Sequence, residues 1–171
     1  MVVGAAGCSL IAMVARICVA SKKYEAVHDL ARRLIGRADA LRARLLELRE
    51  ADEAAFEAVV AARGDKEALQ RALAGAAIPP LTGAHAALEA LRLSSEALEL
   101  RNANLVSDAA CAAEFAYAAL VACAYNVRIN HKFMKDEAAI QAQSAQLQEC
   151  ERGGARVLHD VREAVNGALA R

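Results

Sequence analysis

The chain has 171 residues, of which 57% are hydrophobic but only 4% aromatic, with no Trp; alanine and leucine supply most of the apolar content. Such a chain has room for one domain with a real core, and its composition argues against a sheet interior, which draws on β-branched and aromatic side chains. The 21 basic and 21 acidic residues cancel, so the electrostatic signature of a nucleic-acid or anionic-membrane binder is missing and only local basic pockets stay open.

Helical periodicity dominates from the start. "MVVGAAGCSLIAMVARICVAS" imitates a signal peptide, but it lacks a basic leading region. Arg16 interrupts its apolar run short of the ~20 residues that span a bilayer. It reads as a buried helix over residues 4–20 that begins abruptly, and no membrane association is expected. "SKKYE" is a short break before a long helix over residues 24–62. Gly64 and Asp65 stop that helix and cap the next, over residues 66–77. "IPPL" breaks the chain again, because proline lacks an amide donor and restricts the residue before it. A fourth helix runs to about residue 100, and "RNANLVSD" forms a polar connection. A fifth helix covers residues 107–130. A sixth runs from about residue 135 to the end, with a break expected at Gly153-Gly154. The prediction is a single all-α domain over residues 1–171, a bundle of five to six helices with a long second helix and a small-residue central helix.

Two of these helices carry polar groups where burial is expected. Stepping along the second by alternating four and three residues picks out Val27, Ala31, Leu34, Ala38, Leu41, Leu45, Leu48, Asp52, Ala55 and Val59, nine apolar positions and one aspartate. A bundle seam tolerates an ionised carboxylate badly, since desolvation costs several kcal/mol unless a partner compensates. Either Asp52 meets a buried partner or a wet cavity, or the seam shifts locally to Phe56 and Val60. The fifth helix is thin on almost every side, which suits a central element or a subunit interface. Ser107 is placed to cap it, with Asp108 in its first turn. Asp108 and Asn126 are eighteen residues apart, five turns, so they share a face but stand roughly 27 Å apart along the axis. They serve opposite ends of a long ligand, or different sites that a second subunit completes. Asn126 and Asn130 are i,i+4 neighbours and can act together.

The five cysteines, Cys8, Cys18, Cys111, Cys123 and Cys150, form no CxxC, and four lie in apolar helical runs. They read as buried reduced thiols of a cytoplasmic protein. The histidines show no ligand spacing, so no metal site is expected.

"RNANLVSDAACAA" followed by "ALVACAYNVRIN" resembles the N-x-N…SDa…NV-x-IN core of the formiminotetrahydrofolate cyclodeaminase and methenyltetrahydrofolate cyclohydrolase family, the cyclodeaminase domain of formiminotransferase-cyclodeaminase. The likeness extends back through "ALQRALAGAAIPPL", through "LRARLLELREADEAAF" with Asp52, and to "KKY" and "GAAGCSLIAMVARI". It covers nearly the whole chain in order and is weakest after about residue 136. The family usually carries a proline, a run of glycines and a serine just before the first helix. This chain starts after that point, at Met1, a departure that implies a truncated or mis-started sequence or a member that has lost activity.

The resemblance implies an all-helical fold that pairs into a homodimer. It also implies a folate substrate, polyglutamylated forms included, with no cofactor beyond the tetrahydrofolate derivative itself. The reaction is ring closure of formiminotetrahydrofolate to methenyltetrahydrofolate with loss of ammonia. Hydrolysis of the methenyl bridge is the alternative, and an inactive helical dimer that binds folate or a protein partner is a third reading. Both reactions pass through a tetrahedral carbon between two folate nitrogens, and a positioned carboxylate serves either as proton acceptor and counter-charge. The expected catalytic residues are Asp108 and Asp52. Asn102, Asn104, Ser107, Asn126 and Asn130 are the expected substrate contacts, and Lys22 and Lys23 would hold tail carboxylates. Each also has an ordinary reading: capping for Asp108, turn formation for the loop asparagines, helix tying for Asn126 and Asn130, and a solvated break for the lysines.

Overall fold

A computed structural model describes residues 1–170. Six α-helices follow one another: α1 (Val2–Val19), α2 (His28–Ala61), α3 (Lys66–Ala76), α4 (Ile78–Leu98), α5 (Val106–His131) and α6 (Glu137–Leu169). Two short 3-10 turns, Lys22–Val27 and Ala103–Leu105, lead into α2 and α5, and the described residues contain no strand. The expected all-α architecture, with its long second helix, is the observed one.

The element boundaries have local causes. The residues after α1 wind as a tighter turn through Tyr24, whose backbone is not helical, so α2 starts at His28 rather than at residue 24. Asp65 caps α3 as expected: its side chain accepts from the amides of Glu67 and Ala68 at 2.9 and 3.0 Å. The prolines do more than stop a helix. Pro79 and Pro80 open α4 in its first turn, where an amide has no intrahelical acceptor to lose. Asp136 caps α6 by accepting from the amide of Ala139.

Three expectations are corrected. Ser107 does not cap α5, because the helix starts one residue earlier and its flanking residue is Leu105. Asn102 does the local work instead, its Oδ1 accepting from the amide of Asn104 and folding the turn that delivers the chain into α5. α6 runs unbroken through Gly153 and Gly154. A Cβ on Gly154 would stand 2.7 Å from Leu120 Cδ1, so the glycine is a close-packing point against α5 rather than a hinge. Among the cysteines, Cys111 is exposed despite its apolar neighbourhood, whereas Cys150, set among charged residues, is buried; all five are unpaired.

The thin helix is central, with α1, α4 and α6 packed around it. Its buried side is almost wholly alanine: Ala109, Ala112, Ala113, Ala116, Ala119 and Ala124, with Leu120, Cys123 and Val127. α1 lies antiparallel to it at close range. A Cβ on Gly7 would stand 2.9 Å from the Ala112 carbonyl oxygen, and one on Gly4 would stand 3.0 Å from Ala119 Cβ. Two stretches, Val2–Val19 and Ala103–His131, are long and apolar enough to cross a bilayer by length and composition. Arg16 thus does not cut the first one short. Half of that first stretch is buried inside the protein, against α2 and α5.

The seam of α2 holds its register. Leu34, Ala38, Leu45 and Leu48 are buried, while Phe56 is 64% and Val60 40% exposed. Asp52 is half-buried on the core stripe. The alternative in which the stripe shifts to Phe56 and Val60 is overturned.

Candidate functional site

Asp52 sits near the amino end of α1 and near Cys123 of α5, close enough that its charge acts on that thiol. Burial pushes its carboxyl above the ordinary range, the chain's α-amino group pulls it the other way, and Glu53 adds to the rise. No hydrogen-bond donor in the described residues reaches it. Space here depends on Gly83 of α4, where a Cβ would stand 3.0 Å from Cys123 Sγ and 3.4 Å from Met1 Cγ. Cys123 itself is held protonated, its thiol raised by burial.

Asn126 lies three residues beyond Cys123 at the same end of α5, exposed and, among the described residues, without a partner for its side-chain amide. Asn130 is committed. Its Nδ2 donates to the Asn126 carbonyl and to the Ala76 carbonyl at the end of α3, both at 3.0 Å. It closes an orphan carbonyl of α3 and fixes that helix to α5.

The remaining expected residues gather at the opposite end of the bundle. Asn102 is buried: its Nδ2 donates to Cys18 Sγ at 3.6 Å while its Oδ1 is taken by Asn104. It shapes the connection and has little left to offer a ligand. Asn104 and Ser107 are exposed, and Asp108 is half-buried in the first turn of α5 with no protein partner among the described residues. An uncommitted carboxylate there faces the positive end of the helix dipole. Lys22 and Lys23 are exposed just past α1, with Lys23 Nζ 5.3 Å from the Tyr24 ring.

Beside this group lies a largely apolar cavity of about 310 Å³, lined by Val14, Leu98, Arg101, Asn102 and Val106 among others. Arg101 was not singled out from the sequence, yet it is the only non-glycine residue with a left-handed backbone, at φ 53°, among those described. A long side chain held in that region marks a constrained turn. The signal was available: the "LRN" junction places a cation where α4 ends and the loop to the asparagines begins.

The structure therefore brings the expected residues together as two sets. Asp52, Asn126 and Asn130 stand at one end of α5, and Asn102, Asn104, Ser107, Asp108, Lys22 and Lys23 at the other. With eighteen residues between Asp108 and Asn126, the sets are separated by about 27 Å within one chain.

Between them runs an uncharged exposed strip. On α1 it comprises Val2, Ala6, Ser9, Met13 and Ile17; on α5 it comprises Cys111, Phe115, Ala118, Ala122, Tyr125 and Ile129. Val2 is 58%, Tyr125 67% and Ile129 50% exposed. Successive helical positions place Asp108, Phe115, Ala122 and Asn126 along one line of α5, so both polar ends border this strip.

Comparison with known proteins bears on the fold and the family. The formiminotransferase-cyclodeaminase family profile matches residues 1–149. A methenyltetrahydrofolate cyclohydrolase from Methylorubrum extorquens is 31% identical over 156 residues, covering 85% of this chain and 75% of that one. The crystal structure of formiminotetrahydrofolate cyclodeaminase from Thermotoga maritima superposes with a TM-score of 0.93 at 30% identity, covering 98% of this chain and 85% of the other.

Proposed function

This chain belongs to the formiminotransferase-cyclodeaminase family, and from that premise we propose that it is a folate-dependent one-carbon enzyme whose active site is shared between two copies. The leading reaction is formiminotetrahydrofolate cyclodeamination. One folate nitrogen attacks the formimino carbon, a tetrahedral carbon forms between two nitrogens, and ammonia leaves after gaining a proton. Cyclohydrolysis is the second reading, favoured by the name of the Methylorubrum extorquens relative. There water attacks the cationic methenyl carbon while a base takes its proton, and one of the two bridging C–N bonds then breaks as its nitrogen is reprotonated, leaving the formyl compound.

The observation that carries the proposal is Asp52: a carboxyl kept on a core stripe, raised by burial, with no internal donor. A base whose pKa moves toward the working pH transfers protons more effectively, and its negative charge offsets the cationic bridge. Asp108, free at the other end, recognises the pterin or acts as a second base. Asn104, Ser107 and Asn126 supply polar contacts, and Lys22, Lys23 and Arg101 hold the tail carboxylates. Asn102 and Asn130 position the loop and helix ends that present these groups. No cofactor beyond the folate is required by this scheme.

A second copy resolves the separation. If α5 pairs antiparallel with its own copy across the apolar strip, a two-fold axis near its middle sets Asp108 of each chain against the Asp52 and Asn126 end of the other. Purified protein offered each folate in turn, with the methenyl chromophore followed, decides the reaction: the chromophore grows from the formimino compound in a cyclodeaminase and decays from the methenyl compound in a cyclohydrolase. A dimer that turns over neither sinks the enzymatic reading.

A further inference from the structure

On the outer side of the bundle, α4 and α6 enclose a cleft of about 480 Å³, to which neither α1 nor α5 contributes a lining residue. Three arginines face it: Arg92 from α4, and Arg152 and Arg156 one turn apart on α6. Several arginines elsewhere in the protein close on carboxylates. Arg37, Arg128 and Arg162 hold Glu89, Glu151 and Glu114 at 2.6–2.7 Å. Arg152 and Arg156 have no carboxylate partner among the described residues, and Arg92 has only a loose one, Glu89 at 3.9 Å. Glu149 is the single acidic residue on the wall. Guanidinium groups left unpaired around a concave surface suit oxyanions, which they grip in planar two-point fashion.

The floor adds a polar ring, His85. Cys150 Sγ lies 3.3 Å from His85 Nδ1. Which of the two donates depends on the tautomer of the ring. The other ring nitrogen, Nε2, has no partner among the described residues and is left to a ligand. Gly153 keeps the floor low: a Cβ there would rest against Leu88 at 3.5 Å and fill the space above it.

We infer that this cleft is a second ligand site, built for a small molecule carrying two or more anionic groups, either phosphates or carboxylates. Three guanidiniums outnumber one carboxylate, so a singly charged ligand leaves donors unused. The inference stands apart from the one-carbon reading, since it draws on no residue of that site.

The test is a titration of the intact protein with inorganic pyrophosphate and, separately, with citrate, followed by calorimetry and by the ring signals of the four histidines. Binding is expected at about 1 mM or tighter, weakened by added salt, with the His85 signal moving and that of His28 still. The double variant R152Q/R156Q should bind at least about tenfold more weakly, and R63Q, a change at an exposed arginine outside the cleft, should bind as the unaltered protein does. R92Q reads the opposite wall if the double variant melts early. A preference for pyrophosphate points to a phosphate ester as the natural ligand, and one for citrate to a polycarboxylate. No heat and no His85 shift up to about 10 mM overturns the inference; so does a cleft variant that keeps full affinity, or R63Q weakening binding as much as the double variant.

Discussion

Asp52 is where the needs of folding and chemistry separate. Its folded-state pKa is raised, with burial as the first cause. The folded protein therefore keeps this proton over a pH window in which the unfolded chain has released it. The group's contribution to stability is most favourable below that window and declines as pH rises through it. Asp52→Asn removes the ionised form and leaves the shape. At neutral pH the variant should melt no earlier than the unaltered protein, and the difference should vanish in acid, below the carboxyl's unfolded pKa. Turnover should fall by about 10²–10⁴-fold, the usual worth of a positioned proton-transfer group. Melting curves against pH, read beside initial rates, check both halves. A variant that loses stability at neutral pH would make Asp52 a structural partner instead. Asp108→Asn tests the other end, and it should abolish turnover while leaving helicity intact. Asp52 was legible in the sequence because the four-three stepping of α2 admitted one charge among ten seam positions. For Arg101 the sequence shows a cation at the junction but not its left-handed backbone, which follows from how the α4–α5 connection closes and not from the residue itself.

At the scale of elements, glycines decide how closely the helices approach. Gly7 and Gly36 make a controlled pair, both inside helices. A methyl group at Gly7 meets the Ala112 carbonyl at 2.9 Å, whereas one at Gly36 meets nothing within 4 Å. Gly7→Ala must push α1 off α5, where the obstacle is backbone and cannot rotate aside, and overpacking of this kind costs about 1–3 kcal/mol. Gly36→Ala instead improves helix propensity at an exposed site and should stabilise by about 0.5–1 kcal/mol. Urea unfolding of the two variants should show midpoints moving in opposite directions. Parallel shifts would mean that α1 has more freedom than its contacts imply. Helix existence was readable from periodicity, but the fates of Ser107 and of Gly153-Gly154 were not. Ser107 was displaced by Asn102, which turned the chain early. The double glycine reads as a break until a neighbouring helix supplies the Leu120 side chain that it accommodates. The α4–α6 cleft was hidden for the same reason, since His85 and Cys150 meet across 65 residues of sequence.

For the whole molecule, the question is whether the two polar ends of α5 belong to one site. The eighteen-residue spacing already said that they cannot meet within a chain, and the fold supplies a strip by which two chains could join them. Cys111 lies on that strip and is the exposed thiol among the five. A thiol reagent should therefore label it quickly in dilute protein and slowly once copies associate, while the four buried thiols wait for unfolding; Cys8, pushed up to about 12 by burial, should be among them. Concentration-independent labelling would place the strip outside any interface. Complementation asks the harder question. Let Asp52→Asn and Asp108→Asn each be inactive, then unfold and refold them as an equal mixture. In a shared-site dimer, half of the products are mixed pairs, and each mixed pair holds one site with both carboxylates and one with neither. Activity should return to on the order of a quarter of the unaltered level. If each chain holds its own complete site, no mixed pair contains an intact one and the mixture stays silent. Recovery thus separates a site divided between copies from one that merely sits near their junction, because only in the divided site can one chain's Asp52 be paired with the other's Asp108.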